Sequence, residues 1–380
     1  MLRPKLLYFF YFAAMAALLP FLVVYYGQMG LSGRQVGALS ALTPIMTLIA
    51  APLWTALADA ADRHRLLLLV TLGGTFILTF LTAWADSYPV LLASVGALAF
   101  FVAPVMPLID DQVLTLLRKE KHRYGSLRLW GAVGWGVAAL VAGLLVEHGV
   151  RWAFVLSAVF LAALWLAAFG LTSNRDAQIR GATSIRPFIT RSWIGFFLVS
   201  VAGGVGLSVS TTFLYLYMAD LGVRSSIIGA SLTVATLSEV PLFFFASYLS
   251  RRYSAYTLLG FALLVFAVRL LLYGSIPAPW LLLGAQILHG PSFSLLWVAG
   301  VSYADTLAPK GLSATSQSLF SVAVMGWGGV VGSIVGGALY DGVGPAAMFR
   351  WTAAGITACA FMVVWVGFRQ QLQRMTRETV

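Results

Sequence analysis

Five ionisable residues, Asp110, Asp111, Arg128, Glu239 and Arg269, fall inside long apolar segments of the chain. An ionised side chain at the centre of a bilayer costs about 2.5–3.5 kcal/mol on insertion scales, so five unpaired charges would cost on the order of 12–17 kcal/mol. Such groups persist when they pair or face a watery cavity, which makes them candidates for handling solutes or protons. A purely structural ion pair between Asp110 and Arg128, or an anchor between Arg269 and Glu239, is the competing expectation. His289 adds a ring that titrates near neutral pH, although a hydrogen-bonded core histidine is the simpler reading of that residue alone. Pro241, two residues after Glu239, removes a helical hydrogen bond and frees backbone carbonyls nearby. Asp111 points about 100° away from Asp110 on a helix, so it reads as structural.

Aromatic residues Tyr8, Tyr11, Tyr25, Trp135 and Trp297 share these segments. Most such rings pack or mark the membrane interface. Trp135 lies seven residues after Arg128, two turns along one helix face. A guanidinium with an indole above it suits a solute that has an anionic or hydroxylated edge and a flat apolar face. An aromatic carboxylate, a nucleoside and a small sugar all meet that description.

The elements that must position these groups are membrane spans. Of 380 residues 60% are hydrophobic and 10% charged, against about 25% charged in soluble domains; a soluble enzyme and a disordered chain are both excluded. Apolar segments fall at roughly 5–27, 33–57, 66–85, 89–117, 128–147, 151–172, 192–219, 226–250, 254–274, 279–306, 313–340 and 345–369, each long enough to span as a helix. The expectation is an all-α membrane protein of twelve transmembrane helices in two six-helix bundles, 1–172 and 192–380, joined by a cytoplasmic linker at 173–191. The first apolar run follows Arg3 and Lys5 without a small-residue cleavage site and reads as a retained helix.

With the N-terminus inside, eighteen of the 24 Lys and Arg fall on the cytoplasmic side and four outside; Arg128 and Arg269 lie within spans. The asymmetry places both termini in the cytoplasm and accounts for the net charge of +11 without a nucleic-acid partner. VGWGVAALVAGLLVEHGVRWAF from Val133 resembles MGWGGVVGSIVGGALYDGVGPAAMFRW from Met325, about half a chain later. A twofold repeat of six spans is the layout of transporters that bind solute between two halves. Gly328, Gly332 and Gly336 give the eleventh span a smooth face for close packing.

FFYFAAMAALLPFLVVYY, from Phe9, and YGSLRLWGAVGW, from Tyr124, resemble the first and fifth helices of the major facilitator superfamily, in the branch of lactose permease and the phenylpropionate and nucleoside permeases. Pro107-x-x-Asp110, spaced to Arg128, is similar to the permease's carboxylate and arginine pair for substrate, and Trp135 matches its sugar-stacking tryptophan. Arg269 and His289 keep the spacing of its ninth-helix arginine and tenth-helix histidine. Glu239 sits near a sugar-binding glutamate, slipped by a turn. QILHGPSF around His289 and SATSQSLFSVAVMGWGGVVGS look closer to the phenylpropionate branch. The superfamily's loop signature appears as TALADAADRHR, keeping Asp59, Arg63 and Arg65 as a gating loop but replacing its glycines with Thr55 and Asp62. The permease's coupling glutamate falls at Ser292 and a nearby lysine at Gln286, so Glu239, Asp110 or His289 must carry any proton.

The resemblance implies a proton-coupled symporter of a small organic solute in the inner membrane, monomeric, without cofactor or metal. Substrate would meet Asp110, Arg128, Trp135, Glu239, Arg269 and His289. The reverse direction, proton-driven export of amphipathic compounds, keeps the same fold. An intramembrane enzyme lacks any HExxH, GxSxG or phosphate-binding glycine loop. One cysteine, Cys359, and four histidines, a single one of them well inside a span, argue against a metal centre and exclude disulfides. A channel would need a ring of repeated charges.

Overall fold

The computed structural model describes residues 2–117, 120, 124–171, 186–309 and 312–378, with backbone alone for 247, 314 and 366–378. Among the described residues, twelve helices long and apolar enough to cross a membrane follow one another: α1 (Leu2–Gln28), α2 (Gly33–Ala61), α3 (His64–Ala83), α4 (Tyr88–Leu117), α5 (Tyr124–Val146), α6 (Arg151–Phe169), α7 (Arg191–Asp220), α8 (Ser225–Ala246), α9 (Ala255–Ser275), α10 (Pro279–Thr306), α11 (Thr315–Val343) and α12 (Pro345–Trp365). Each expected span is present, and α5 begins one turn earlier than its apolar pattern suggests because Tyr124-Gly-Ser precedes the hydrophobic run. Of the linker expected at 173–191, residues up to 185 lie outside the described residues; a short 3₁₀ turn at Arg186–Phe188 follows. The Thr190 hydroxyl then accepts from the Trp193 amide (3.2 Å) and caps α7.

Packing forms two compact units, one of Met1–Arg180 with Tyr215–Thr233 and the other of Gly181–Leu214 with Val234–Val380. In the first, α1 runs buried from Ala13 to Tyr26 with few gaps. Gly134 lets α5 approach α1 so closely that a Cβ there would stand 2.3 Å from the Phe9 carbonyl oxygen. A core of Leu7, Tyr8, Leu68, Leu72, Ile109, Leu127, Leu161 and Leu164 joins α1 and α3 to α6. α4 breaks at Ala103–Pro104 and restarts at Val105, because proline lacks the amide that the preceding turn needs. Asp110 and Asp111 ride on the second piece.

The arginines at one end of this unit close α6. Arg3 donates to the Gly170 carbonyl and Arg65 to that of Phe169, satisfying acceptors that a helix C-terminus leaves open. The start of α1, the start of α3 and the end of α6 therefore share one face of the unit. Asp62 ends α2 in the left-handed conformation (φ 49°), which explains why a glycine suits that position of the loop signature.

In the second unit the repeated glycines of α11 meet α7. A Cβ on Gly328 would fall 2.5 Å from Gly204 Cα, one on Gly332 2.7 Å from Ser208 Cβ, and one on Gly336 2.5 Å from the Phe213 ring. The Ser208 hydroxyl bonds to Ser333 (3.1 Å) across this contact. The sequence repeat of α5 and α11 thus corresponds to repeated packing, α5 on the first helix of its half and α11 on the seventh. Among the described residues, the widened π-helical turn appears at Val209–Phe213, Gly290–Ser294 and Val322–Gly328, all in this unit.

Candidate functional site

Five of the six expected solute-contacting residues, all but Trp135, form part of two polar clusters, one in each unit. In the first, Asp110 Oδ1 accepts hydrogen bonds from Tyr8 Oη (2.7 Å) and Tyr124 Oη (2.9 Å). Arg128 Nη1 donates to Tyr124 Oη (2.7 Å) and stands 3.5 Å from Asp110 Oδ2. The expected pairing of Asp110 with Arg128 is present, but as a long contact with a phenol between the charges. The Arg128 side chain is 45% exposed and that of Asp110 24%.

The ring beside the guanidinium is that of Tyr124, 5.9 Å from Cζ. Trp135 instead meets Phe12 edge to face, with centroids 6.5 Å apart, which corrects the expected indole over Arg128. Seven residues place two side chains on one face but about 10 Å apart along the axis, whereas four residues separate them by about 6 Å. Asp111 faces His64, whose Nδ1 lies 3.4 Å from Asp111 Oδ2 and whose Nε2 lies 3.3 Å from Asp59 Oδ1. Of the loop residues, Asp59 thus belongs to a His64-centred group joining α2 to α4, Arg65 closes α6, and Arg63 precedes the first turn of α3.

The second cluster is denser. Arg269 is completely buried; its Nε donates to Tyr273 Oη (2.5 Å), Nη2 to Gln286 Oε1 (2.6 Å) and Nη1 to His289 Nδ1 (2.9 Å). Arginine has no acceptor, so Nδ1 of His289 carries a lone pair and the ring proton sits on Nε2. That nitrogen lies 3.1 Å from Glu239 Oε1. Arg269 therefore reaches Glu239 through a neutral imidazole rather than directly, and charge balances across the set when Glu239 is ionised. Phe293 stacks on His289 with centroids 5.4 Å apart, and Trp297 lies between Phe293 and Phe320.

Backbone packing fixes this geometry. α10 tightens to a 3₁₀ turn at Ala285–Leu288 and then widens at Gly290–Ser294, with His289 at the junction; Pro291 withholds an amide there, and such widened turns concentrate at functional positions. The Gly290 amide donates to the Ser238 hydroxyl (2.8 Å), and a Cβ on Gly290 would lie 2.0 Å from the Ser238 carbonyl oxygen. Glu239 is thereby held against His289 from the neighbouring helix. Ser292, at the permease's coupling position, gives its hydroxyl to the carbonyls of Leu288 (2.8 Å) and His289 (3.0 Å) within its own helix.

Tyr8, Tyr124, Tyr273, Gln286, Ser238 and Gly290 are the participants whose roles sequence reasoning missed. A usable signal existed for two of them, since Tyr124 and Tyr273 each stand one turn from an intramembrane arginine. Tyr25 donates to the Ala85 carbonyl (2.6 Å), a structural tie, and Tyr11 packs edge to face on Phe12.

Twelve apolar helices that carry a charged cluster in each unit fit a membrane transporter of small solutes. The chain matches the model of the MFS_1 like family over residues 1–351 and belongs to that family, within the major facilitator superfamily. It is 30% identical over 349 residues to the maltose permease of Geobacillus stearothermophilus, covering 88% of this chain and 86% of that protein. It is 26% identical to a probable 3-phenylpropionic acid transporter of Escherichia coli, covering 89% and 90%. The crystal structure of the nucleoside transporter NupG superposes with a TM-score of 0.84 at 18% identity, covering 96% of this chain and 98% of that one, a likeness of fold alone.

Proposed function

We propose that the protein is a proton-coupled symporter of a small organic solute, working by alternating access of two six-helix halves, 1–172 and 192–380. The carrying observation is the series Arg269–His289–Glu239, in which a buried guanidinium orients a buried imidazole so that its one proton points at the partly exposed carboxylate. Glu239 is the sole acid well inside a span of the second unit, and among the described residues its carboxylate meets only His289. Protonating it removes the negative member of a balanced set, so proton binding changes the electrostatics of the unit and links to solute binding by differential affinity. Arg128 is the solute-contacting cation, with Asp110 its countercharge and a second proton acceptor, and Trp135 a flat apolar surface further along α5. The Lys and Arg distribution supports both termini in the cytoplasm and residence in the cytoplasmic membrane.

The test is uptake by proteoliposomes of labelled 3-phenylpropionate, maltose and a nucleoside under an imposed pH gradient. Accumulation of one of them with the acid side outside, abolished in Glu239→Gln while solute counterflow persists, is the expected result. Uptake that ignores the gradient, or a Glu239→Gln protein that accumulates normally, rejects proton symport.

A further inference from the structure

The two intramembrane arginines are held in opposite ways. All three guanidinium nitrogens of Arg269 are committed to protein partners and the side chain is fully buried. Arg128 engages protein through Nη1 alone among the described residues, and its side chain is half exposed. Its Nε and Nη2 hydrogens form the edge that grips a carboxylate with two parallel bonds.

We propose that Tyr124 is a positioning residue: its phenol holds Arg128 off Asp110 and so keeps that edge open for an anionic group of the solute. The inference rests on reading Arg128 as the solute-contacting cation. Arginine can only donate, so the phenol oxygen accepts from Nη1 and its own proton goes to Asp110 Oδ1, where Tyr8 also donates. With one carboxylate oxygen occupied by two phenols and the guanidinium held by a third bond, the direct contact stays at 3.5 Å. An unobstructed charge-assisted pair closes to about 2.8 Å. Without the hydroxyl a movement under about 1 Å would close the pair, and a fork-on-fork contact would then consume Nη2 as well.

Purified protein is treated with phenylglyoxal, which modifies accessible guanidinium groups, and each arginine is followed by peptide mass spectrometry. Arg128 is expected to react in the native chain and about fivefold more slowly in Tyr124→Phe, the sequestration that a half-exposed ion pair supplies. The native rate should return in the double variant Tyr124→Phe/Asp110→Asn, since the carboxylate that captures the guanidinium is gone; a merely structural tyrosine would not be rescued by removing a charge. Arg269 stays unmodified in folded protein and reports unfolding. Should Tyr124→Phe expose it, Tyr124→Met carries the same expectation. No reaction at Arg128 in the native chain, or undiminished reaction in a folded Tyr124→Phe, overturns the proposal. Benzoate, as an anionic probe, should protect native Arg128. If the variants behave as expected and benzoate does not protect, the positioning role stands and the solute-contacting role of Arg128 falls.

Discussion

Gly290→Ala tests whether backbone contact between α8 and α10 sets the His289–Glu239 geometry. The added Cβ would lie 2.0 Å from the Ser238 carbonyl oxygen, 2.5 Å from its carbon and 3.0 Å from the Glu239 nitrogen. All three neighbours are backbone, so no side chain can swing aside. Ordinary contact begins near 3.4 Å, and relief therefore requires the helices to separate by about 1.4 Å at this point. That displacement lengthens the 2.8 Å bond from the Gly290 amide to Ser238 and the 3.1 Å contact between His289 Nε2 and Glu239 Oε1, taking both beyond hydrogen-bonding distance. Overpacking of this kind costs about 1–3 kcal/mol. The expected outcome in proteoliposomes is loss of accumulation driven by a pH gradient with solute counterflow retained, although neither ionisable residue has changed. Thermal unfolding in detergent should shift downward. Native accumulation together with native thermal stability would refute the reasoning, because no rearrangement that leaves the two helices in place accommodates the methyl group.

Arg269→Ala removes a buried cation that three neighbours and a nearby carboxylate depend on, and should destabilise the protein by about 3–5 kcal/mol, read as a marked fall in thermal midpoint; an unchanged midpoint would contradict the arrangement. Gly204→Ala drives a Cβ to 2.1 Å from the Val324 carbonyl oxygen and should cost about 1–3 kcal/mol, measured the same way, whereas Gly125→Ala, with nothing within 4 Å, serves as the silent comparison. The Ser226 hydroxyl donates to Glu147 and holds its carboxyl below the ordinary range. Glu147 thus contributes stability above its unfolded-state pKa and loses it as pH falls through the lower, folded-state value. Ser226→Ala should raise that titration midpoint toward the ordinary value, followed by the infrared band of the isotope-labelled carboxylate.

The twelve helices were readable because a bilayer demands runs of about 20 apolar residues, and nothing else in a chain of this composition produces them so regularly. The charged members of both clusters were readable for a related reason: a charge in such a run is costly and must have a partner. Their neutral partners were far less so. Tyr124 and Tyr273 were marked only by their one-turn spacing to an intramembrane arginine, tyrosines are common at membrane interfaces, and neither they nor Tyr8 and Gln286 carry the formal charge that demands a partner. The assignment of Trp135 to Arg128 failed on distance rather than direction, since sharing a face is not the same as touching. The Gly290–Ser238 approach was hidden among 37 glycines. Its signal lies in what would collide with a methyl group, which only coordinates reveal.

The wiring of Arg269 also restricts the order in which this sequence can change over evolutionary time. Its direct partners are all neutral. Replacing Gln286 by lysine, the residue that the lactose permease resemblance would place there, would remove the oxygen that accepts from Arg269 Nη2 and set an amine beside the buried guanidinium, a costly change while Glu239 is the one carboxylate of the cluster. A second carboxylate would offset that cost, and Ser292, with its hydroxyl bound to its own helix, is where the permease resemblance would place it. An acid at 292 thus eases a lysine at 286, whereas a lysine at 286 alone leaves Arg269 short of an acceptor, so the two changes are not interchangeable in order.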